Sequence, residues 1–220
     1  MLKNNSADLT IGFDVGGTNV RGGVITREGE ILASRTVPTS MDVEQLEADI
    51  VGIVEELRAE YTVDAVGLAL AGFLDPSCEV VRFAPHLPWR KAHVQESLSR
   101  KLDMHVRLEH DANSAAWGEW RFGAGRGAED WVFFAVGTGI GATLMTHDTI
   151  YRGAFGTAPE FGHIVVVPNG RQCSCGKRGC WERYCSGTAL AHTAIELLAA
   201  NPAESTILAR EVVRDPGSLT

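Results

Sequence analysis

The sequence predicts an α/β protein built as two lobes, and three observations predict it. Short β-rich segments alternate with helical apolar periodicity over residues 9–122. A Gly-rich stretch follows at 122–130 (FGAGRGAED) and reads as a joint. On both sides of it the chain opens in the same way, with a strand, a Gly-rich turn and a second strand. The expected domains are residues 1–120 and 121–220, with the boundary inside 118–130.

The elements follow in order. LTIGFDV, VRGGVIT and EILASRTV read as three strands between residues 9 and 37, joined by turns at Gly16-Gly17 and Arg27-Glu28-Gly29. Val43, Leu46, Ile50, Ile53, Val54 and Leu57 then recur at three- and four-residue spacing after Ser40 and Asp42, which predicts an amphipathic helix with its cap. DAVGLALAG at 64–72 is a buried strand, and Pro85 and Pro88 mark a loop before a helix over 91–102. MHVRLEH is a strand that runs directly into a helix opening DANSAAWGEW. Beyond the joint, WVFFAVGTGIGATLMTH starts a second set of strands, and the last residues, 215–220, read as the approach to another helix, so the second lobe is expected to be incomplete.

Composition narrows the function class. Lys and Arg total 20 against 28 Asp and Glu, a formal net charge of −8, with 45% hydrophobic residues. The Lys- and Arg-rich footprint of a nucleic-acid binder is absent, and no apolar run reaches membrane-spanning length, so neither nucleic acid nor membrane is an expected partner. The start carries no apolar stretch followed by a small-residue cleavage site, which gives a cytoplasmic expectation. Five cysteines, three of them within eight residues, favour a metal over disulfides in a reducing compartment, with Cys78 and Cys185 left as lone thiols.

Four groups of residues carry chemistry. Asp14, Gly16, Gly17 and Thr18 put an acid, two glycines and a hydroxyl at a strand end, where backbone N–H groups can approach phosphate oxygens and the carboxylate can hold Mg2+ through water; a plain hairpin turn has the same pattern. Gly137, Thr138 and Gly139 form a second such turn. Gly137 to Ala142 also fits a dinucleotide fingerprint with Glu160 as the ribose acid, but the β-branched segment ATLMTHDTIY predicts a strand where that fingerprint needs a helix. Asp111 stands where a strand meets a helix, suited either to accept a proton from a hydroxyl or simply to cap the helix. His163 with Cys173, Cys175 and Cys180 makes a closed four-donor Zn2+ set of structural type, flanked by Glu160 and Glu182.

In this order, D-x-G-G-T-x-x-R, E-x-D-x-N, G-T-G-I-G, E-F-G-H and C-x-C-G-x-x-G-C-W-E, spread from Ile11 to Ala189, resemble the ROK family of bacterial sugar kinases and their repressor relatives, and within it the actinobacterial-type glucokinases. The resemblance implies an actin-like, ribonuclease-H-like ATPase fold of two α/β lobes with the site in the cleft. It implies that Asp111 is the general base toward a sugar 6-hydroxyl, with Asn113 in the same motif. Gly72, His110, Asp111, Glu160, His163 and Glu182 would surround a hexose, glucose first, with N-acetylmannosamine or fructose as alternatives. His163 would turn one ring nitrogen to Zn2+ and the other to the sugar. Asp14, Gly16, Gly17, Thr18, Gly137, Thr138 and Gly139 would hold ATP and Mg2+. The expected assembly is a homo-oligomer.

The chain departs from that pattern at His110, where many members have Asn, and at Pro159, where a small residue is usual. Family members also continue through a Gly-rich adenosine-binding segment and a C-terminal helix that returns to the first lobe. Among rivals, a repressor of the same family carries an N-terminal DNA-binding domain, whereas the first predicted strand here begins at Leu9. A dehydrogenase fails on the strand after Gly141, and a non-catalytic sugar-binding fragment is the remaining alternative.

Overall fold

The computed structural model describes residues 9–201 together with Ile207 and Arg210, so the expected lead-in to a helix at 215–220 lies outside the described residues. By internal contacts the chain divides into one unit of residues Met1–Trp131 and Thr143–Pro159 and another of Val132–Ala142 and Glu160–Thr220. These limits differ from a single cut after residue 120. The reason is physical: the segment after Thr143 is tied by hydrogen bonds to elements that precede the Gly-rich joint.

The first unit is organised by a five-stranded mixed sheet. Its strands are β1 (Thr10–Val15), β2 (Asn19–Ile25), β3 (Ile31–Pro38), β4 (Ala65–Leu70) and β8 (His105–His110), in the spatial order β3-β2-β1-β4-β8. Tight turns make β1, β2 and β3 antiparallel neighbours. The helices α1 (Val43–Arg58) and α2 (Val94–Leu102) provide the long crossovers that parallel pairing needs, and β4 runs parallel to both β1 and β8. As the apolar periodicity predicts, Leu46, Ile50, Val54 and Leu57 of α1 are fully buried. Asp42 caps that helix, its carboxylate accepting the Gln45 N–H at 2.9 Å.

Alternation places Ile11, Phe13 and Val15 of β1 with Val66, Leu68 and Leu70 of β4 and Val106 and Leu108 of β8 in one apolar cluster that includes the buried stripes of both helices. The opposite face carries little bulk. Gly12, Gly67 and Arg107 lie side by side in register, and a Cβ on Gly67 would meet nothing within 4 Å. A cavity of 660 Å³ occupies this face, lined among others by Gly12, Gly67, Trp117, Ile150, Glu109 and Arg152.

The helix expected over 91–102 begins only at Val94. Arg90–Ala92 instead form β7, which pairs with β6 (Val81–Phe83), itself paired with β5 (Phe73–Leu74). Strand β8 passes into α3 (Asp111–Phe122) without a loop, as expected. Beyond the joint come β9 (Trp131–Val136), β10 (Ile140–Thr146) and β11 (Thr149–Ile150), the last two forming an antiparallel hairpin. A strand after Gly141 removes the dinucleotide reading of that turn.

Among the described residues the second unit has much less apolar core. Phe134 packs against Phe161 and Trp181 with ring centroids 5.9 and 5.3 Å apart. A 3-10 turn at Phe161–His163, the short α4 (Glu182–Cys185) and α5 (Gly187–Ala200) follow in this unit. Ser186 caps α5 by accepting the Ala189 N–H at 3.1 Å. No described helix is long and apolar enough to cross a membrane.

Candidate functional site

Parallel register builds one edge of the first unit. Asp14, Ala69 and Glu109 form one row across β1, β4 and β8, and Val15, Leu70 and His110 form the next. All three strands end there, so the Gly16–Thr18 turn, Ala71–Gly72 and Asp111 leave from a single sheet edge. With neighbouring strands about 4.8 Å apart, the first turn and the start of α3 are separated by roughly 10 Å. The carboxyl ends of parallel strands are where open α/β sheets bind ligands.

The first turn is fixed through its carbonyls. Gly16 N–H donates to Asn19 O at 3.0 Å, while Gly16 O accepts the Thr39 hydroxyl at 2.6 Å and Thr18 O accepts the Thr39 N–H at 2.9 Å. The N–H groups of Gly17 and Thr18 and the Thr18 hydroxyl have no acceptor among the described residues, and all of Asp14, Gly17 and Thr18 are exposed. A Cβ on Gly17 would sit 2.7 Å from the His86 Cβ, so glycine is required there by close approach. Gly72 is likewise crowded, 2.8 Å from the Ala84 Cβ by the same construction.

Asp111 is not the helix cap. His110 occupies the N-cap position of α3, and Asp111 is the first helical residue, its Oδ1 accepting the Ala112 N–H at 2.7 Å and lying 3.2 Å from His110 Nδ1. The N-terminal end of a helix favours a carboxylate at this place, and the Asp111 side chain is 47% exposed. An exposed carboxylate is thus held where the strand passes into the helix.

Behind it lies an ionic network that the sequence reading passed over. Arg152 donates to both Glu109 oxygens, at 2.7 and 2.5 Å. The same carboxylate accepts the His110 N–H at 2.9 Å and the Asn113 amide at 3.0 Å, and Asn113 Oδ1 in turn accepts the Thr143 hydroxyl at 2.9 Å. Burial works against the Glu109 charge, yet the hydrogen bonds from Arg152 and Asn113 and the guanidinium charge outweigh it and hold this carboxyl below the usual carboxylate range. Glu109 was visible in E-x-D-x-N, but nothing local distinguishes Arg152.

The second turn, in the other unit, repeats the pattern. Gly137 O accepts the Gly187 N–H at 2.7 Å and Thr138 O accepts the Thr188 hydroxyl at 2.8 Å, so its carbonyls face the start of α5. Thr138 is exposed, and Gly139 has its would-be Cβ 2.5 Å from Glu182 Oε2. That oxygen accepts the Ile140 N–H at 2.9 Å, so Glu182, expected beside a sugar, also braces this turn, and its Oε1 takes no bond among the described residues.

Also in the second unit, one ligand atom each from His163, Cys173, Cys175 and Cys180 lie within 4.8 Å of one another. His163 Nδ1 is 3.6 Å from Cys173 Sγ, and the Cys175 and Cys180 sulfurs are 3.6 Å apart. A tetrahedron with metal–sulfur bonds of about 2.3 Å has edges of about 3.8 Å, so the four donors fit a single metal ion. Burial and the adjacent thiols push Cys180 up to about 12, a proton affinity that a bound cation would reverse. Gly176 and Gly179 both have positive φ, 87° and 81°, which explains glycine in the connecting turns. Glu160 precedes the 3-10 turn that carries His163, its carbonyl accepting the His163 N–H at 3.0 Å. Cys78 and Cys185 stand outside the cluster.

A sheet edge with a Gly-rich turn and an exposed carboxylate in one unit, and a four-donor Cys/His set in the other, define a two-unit α/β protein. The ROK family model matches residues 10–215, and the chain belongs to the ROK family. It is 40% identical over 200 residues to the glucokinase of Streptomyces coelicolor, covering 91% of this chain and 63% of that protein. It is 31% identical over 196 residues to the xylose repressor of Bacillus subtilis, covering 86% and 51%. Among solved structures, the ROK family glucokinase from Streptomyces griseus in complex with glucose and AMPPNP matches with a TM-score of 0.79 at 40% identity, covering 96% of this chain and 67% of that one. These neighbours establish the actin-like ATPase fold that the motif order implied. The chain spans 63% of the length of the Streptomyces glucokinase.

Proposed function

We propose that this chain carries the general base, both phosphate turns and the metal loop of a hexose kinase that transfers the ATP γ-phosphoryl group to the 6-hydroxyl of glucose. The observation that carries the reading is the shared sheet edge, where the Asp14–Thr18 turn and Asp111 leave parallel strands that end in register. Asp111 takes the hydroxyl proton as the sugar oxygen forms its bond to phosphorus and the bond to ADP breaks. The Gly17 and Thr18 N–H groups, which have no acceptor among the described residues, suit phosphate oxygens, and Asp14 suits Mg2+ through water. Gly137, Thr138 and Gly139 serve as the second clamp. Gly72, His110, Glu160, His163 and Glu182 supply hydrogen bonds to the sugar, and Zn2+ on His163, Cys173, Cys175 and Cys180 holds their loop. Nδ1 of His163 faces the thiols, which leaves Nε2 for a hydroxyl.

A panel of hexoses with ATP and polyphosphate, run on the full-length gene product beside the 220-residue chain, tests the reaction: glucose 6-phosphate is the expected product. In the same assay Asp111→Asn lowers kcat by about 10²- to 10⁴-fold. Its stability changes by no more than about 1 kcal/mol, because His110 occupies the cap position and only the favourable charge at the helix start is lost. Near-normal turnover in that variant removes the base. A sugar-responsive regulator is the second reading, favoured by the similarity to the xylose repressor, and sugar binding without any phosphorylated product in the panel would establish it.

A further inference from the structure

We propose that Arg152 is a positioning residue for the Asp111 base, acting through Glu109. The inference rests on the reading of Asp111 as the base and adds to it the group that holds that base in place.

Glu109 is the last residue but one of β8, and the register would fix its backbone without any side-chain help. Its carboxylate nevertheless takes four hydrogen bonds: two from Arg152, one from the Asn113 side chain and one from the His110 N–H. Two of these donors bracket Asp111 in sequence. One bond holds the peptide entering it and the other holds the side chain two residues later in the same helical turn. A carboxylate that binds residues 110 and 113 together sets the angle at which α3 leaves the sheet, and so the place of the Asp111 carboxylate. Asn113 is 5% exposed and its other amide atom is engaged by Thr143, so the turn has little freedom to compensate.

Glu109 performs this task only while it is charged and oriented. Arg152 supplies both conditions, because a planar guanidinium binding two carboxylate oxygens fixes the rotation of the carboxylate as well as its charge. Removing the fork leaves a half-buried carboxylate without its cation, free to rotate or to take up a proton and release the His110 N–H. Misplacement of a reacting group by about 1 Å costs on the order of 10²-fold in rate. Arg152 also lines the 660 Å³ cavity, so truncating it leaves a space that a free guanidinium ion can enter from solvent.

The test pairs Arg152→Ala and Arg152→Lys with Asp111→Asn in the full-length gene product. For Arg152→Ala we expect kcat to fall by roughly 10- to 100-fold with KM for sugar and nucleotide unchanged, and added guanidine to restore kcat. Arg152→Lys keeps the charge without the fork and gives an intermediate kcat; it decides the matter should the alanine variant not fold. In the 220-residue chain, hydrogen exchange at the His110 amide speeds up in Arg152→Ala, a readout independent of turnover. If both Arg152 variants keep parental kcat while Asp111→Asn loses it, the positioning role is overturned and the base stands. A kcat lost together with thermal stability, with guanidine restoring only the stability, makes Arg152 a structural residue and also overturns the inference. Full turnover by Asp111→Asn removes the base and this inference with it.

Discussion

The two units hold themselves together by different means. In the first, α1 and α2 lie with a five-stranded sheet in one cluster that takes in Ile11, Leu68, Leu108 and Trp89, all at 1% exposure or less. In the second, the buried hydrophobic residues among those described are Ile140, Ala142, Cys173, Cys180 and Ala189, and two of these are metal-site donors. One unit is stabilised by area removed from water; the other, if a metal ion occupies its four-donor set, by a few directional bonds. The contrast predicts that heat, chelators and acid will not act on them alike.

The largest expected effect is on the second unit. If Zn2+ occupies the four-donor set, its removal takes away binding free energy on the order of 10 kcal/mol, comparable with the whole stability of a typical domain. Hydrogen exchange over 160–187 in the presence of a strong chelator should then approach that of an unfolded chain, while the β1, β4 and β8 amides keep their protection. Cys173→Ser should behave the same way without chelator. Protection that persists over 160–187 with the metal stripped would mean that the two units are not built differently after all.

A smaller change tests the other half. Leu108→Ala empties a fully buried position in β8 and should cost about 2–5 kcal/mol, measured by denaturant unfolding of the first unit, with metal content unchanged. A loss of metal in that variant would show that the units share one cooperative transition.

The smallest effect concerns acid. Burial opposes the Asp75 charge, but its hydrogen bonds from Ser77, Val80 and Glu79 more than offset this and lower its pKa from 3.8 to about 2. A carboxyl depressed on folding stabilises the folded state above its unfolded value and loses that contribution as pH falls through the folded one. The first unit should therefore lose a fraction of its stability between about pH 4 and pH 2. Asp75→Asn flattens that segment of the stability curve, and an unchanged slope would place the acid sensitivity elsewhere.

Local patterns were legible wherever one element is specified by its own residues. The α1 stripe, the Asp42 cap, the two Gly-rich turns, the β8–α3 junction and the four-donor set each follow from spacing along one continuous stretch of fewer than 20 residues. The small β5–β6–β7 sheet was not legible, because strands of two or three residues are too short to show alternation. Nor was Arg152, whose partner lies 43 residues away. Asp111 looked like a cap because Asp is a good one, yet the chain stays extended for one more residue only, at His110, and the helix begins at Asp111 itself. Glu182 shows the opposite case: its place in C-W-E was visible, but its bond to the Ile140 N–H needed the fold.

The common finish of β1, β4 and β8 has a consequence for how such a protein can change. Substitutions at the core-facing positions of these strands, such as Val66 and Val106, alter packing but leave the heights of their ends equal. The site does not tolerate variation in length. Deleting one residue inside β4 would pull Gly72 back by about 3.3 Å relative to Asp14 and Asp111 and turn every later side chain of that strand to the other face. Insertions and deletions are thereby confined to the connections at the far end of the sheet, such as the one between α1 and β4, where an added residue leaves the row of strand ends untouched.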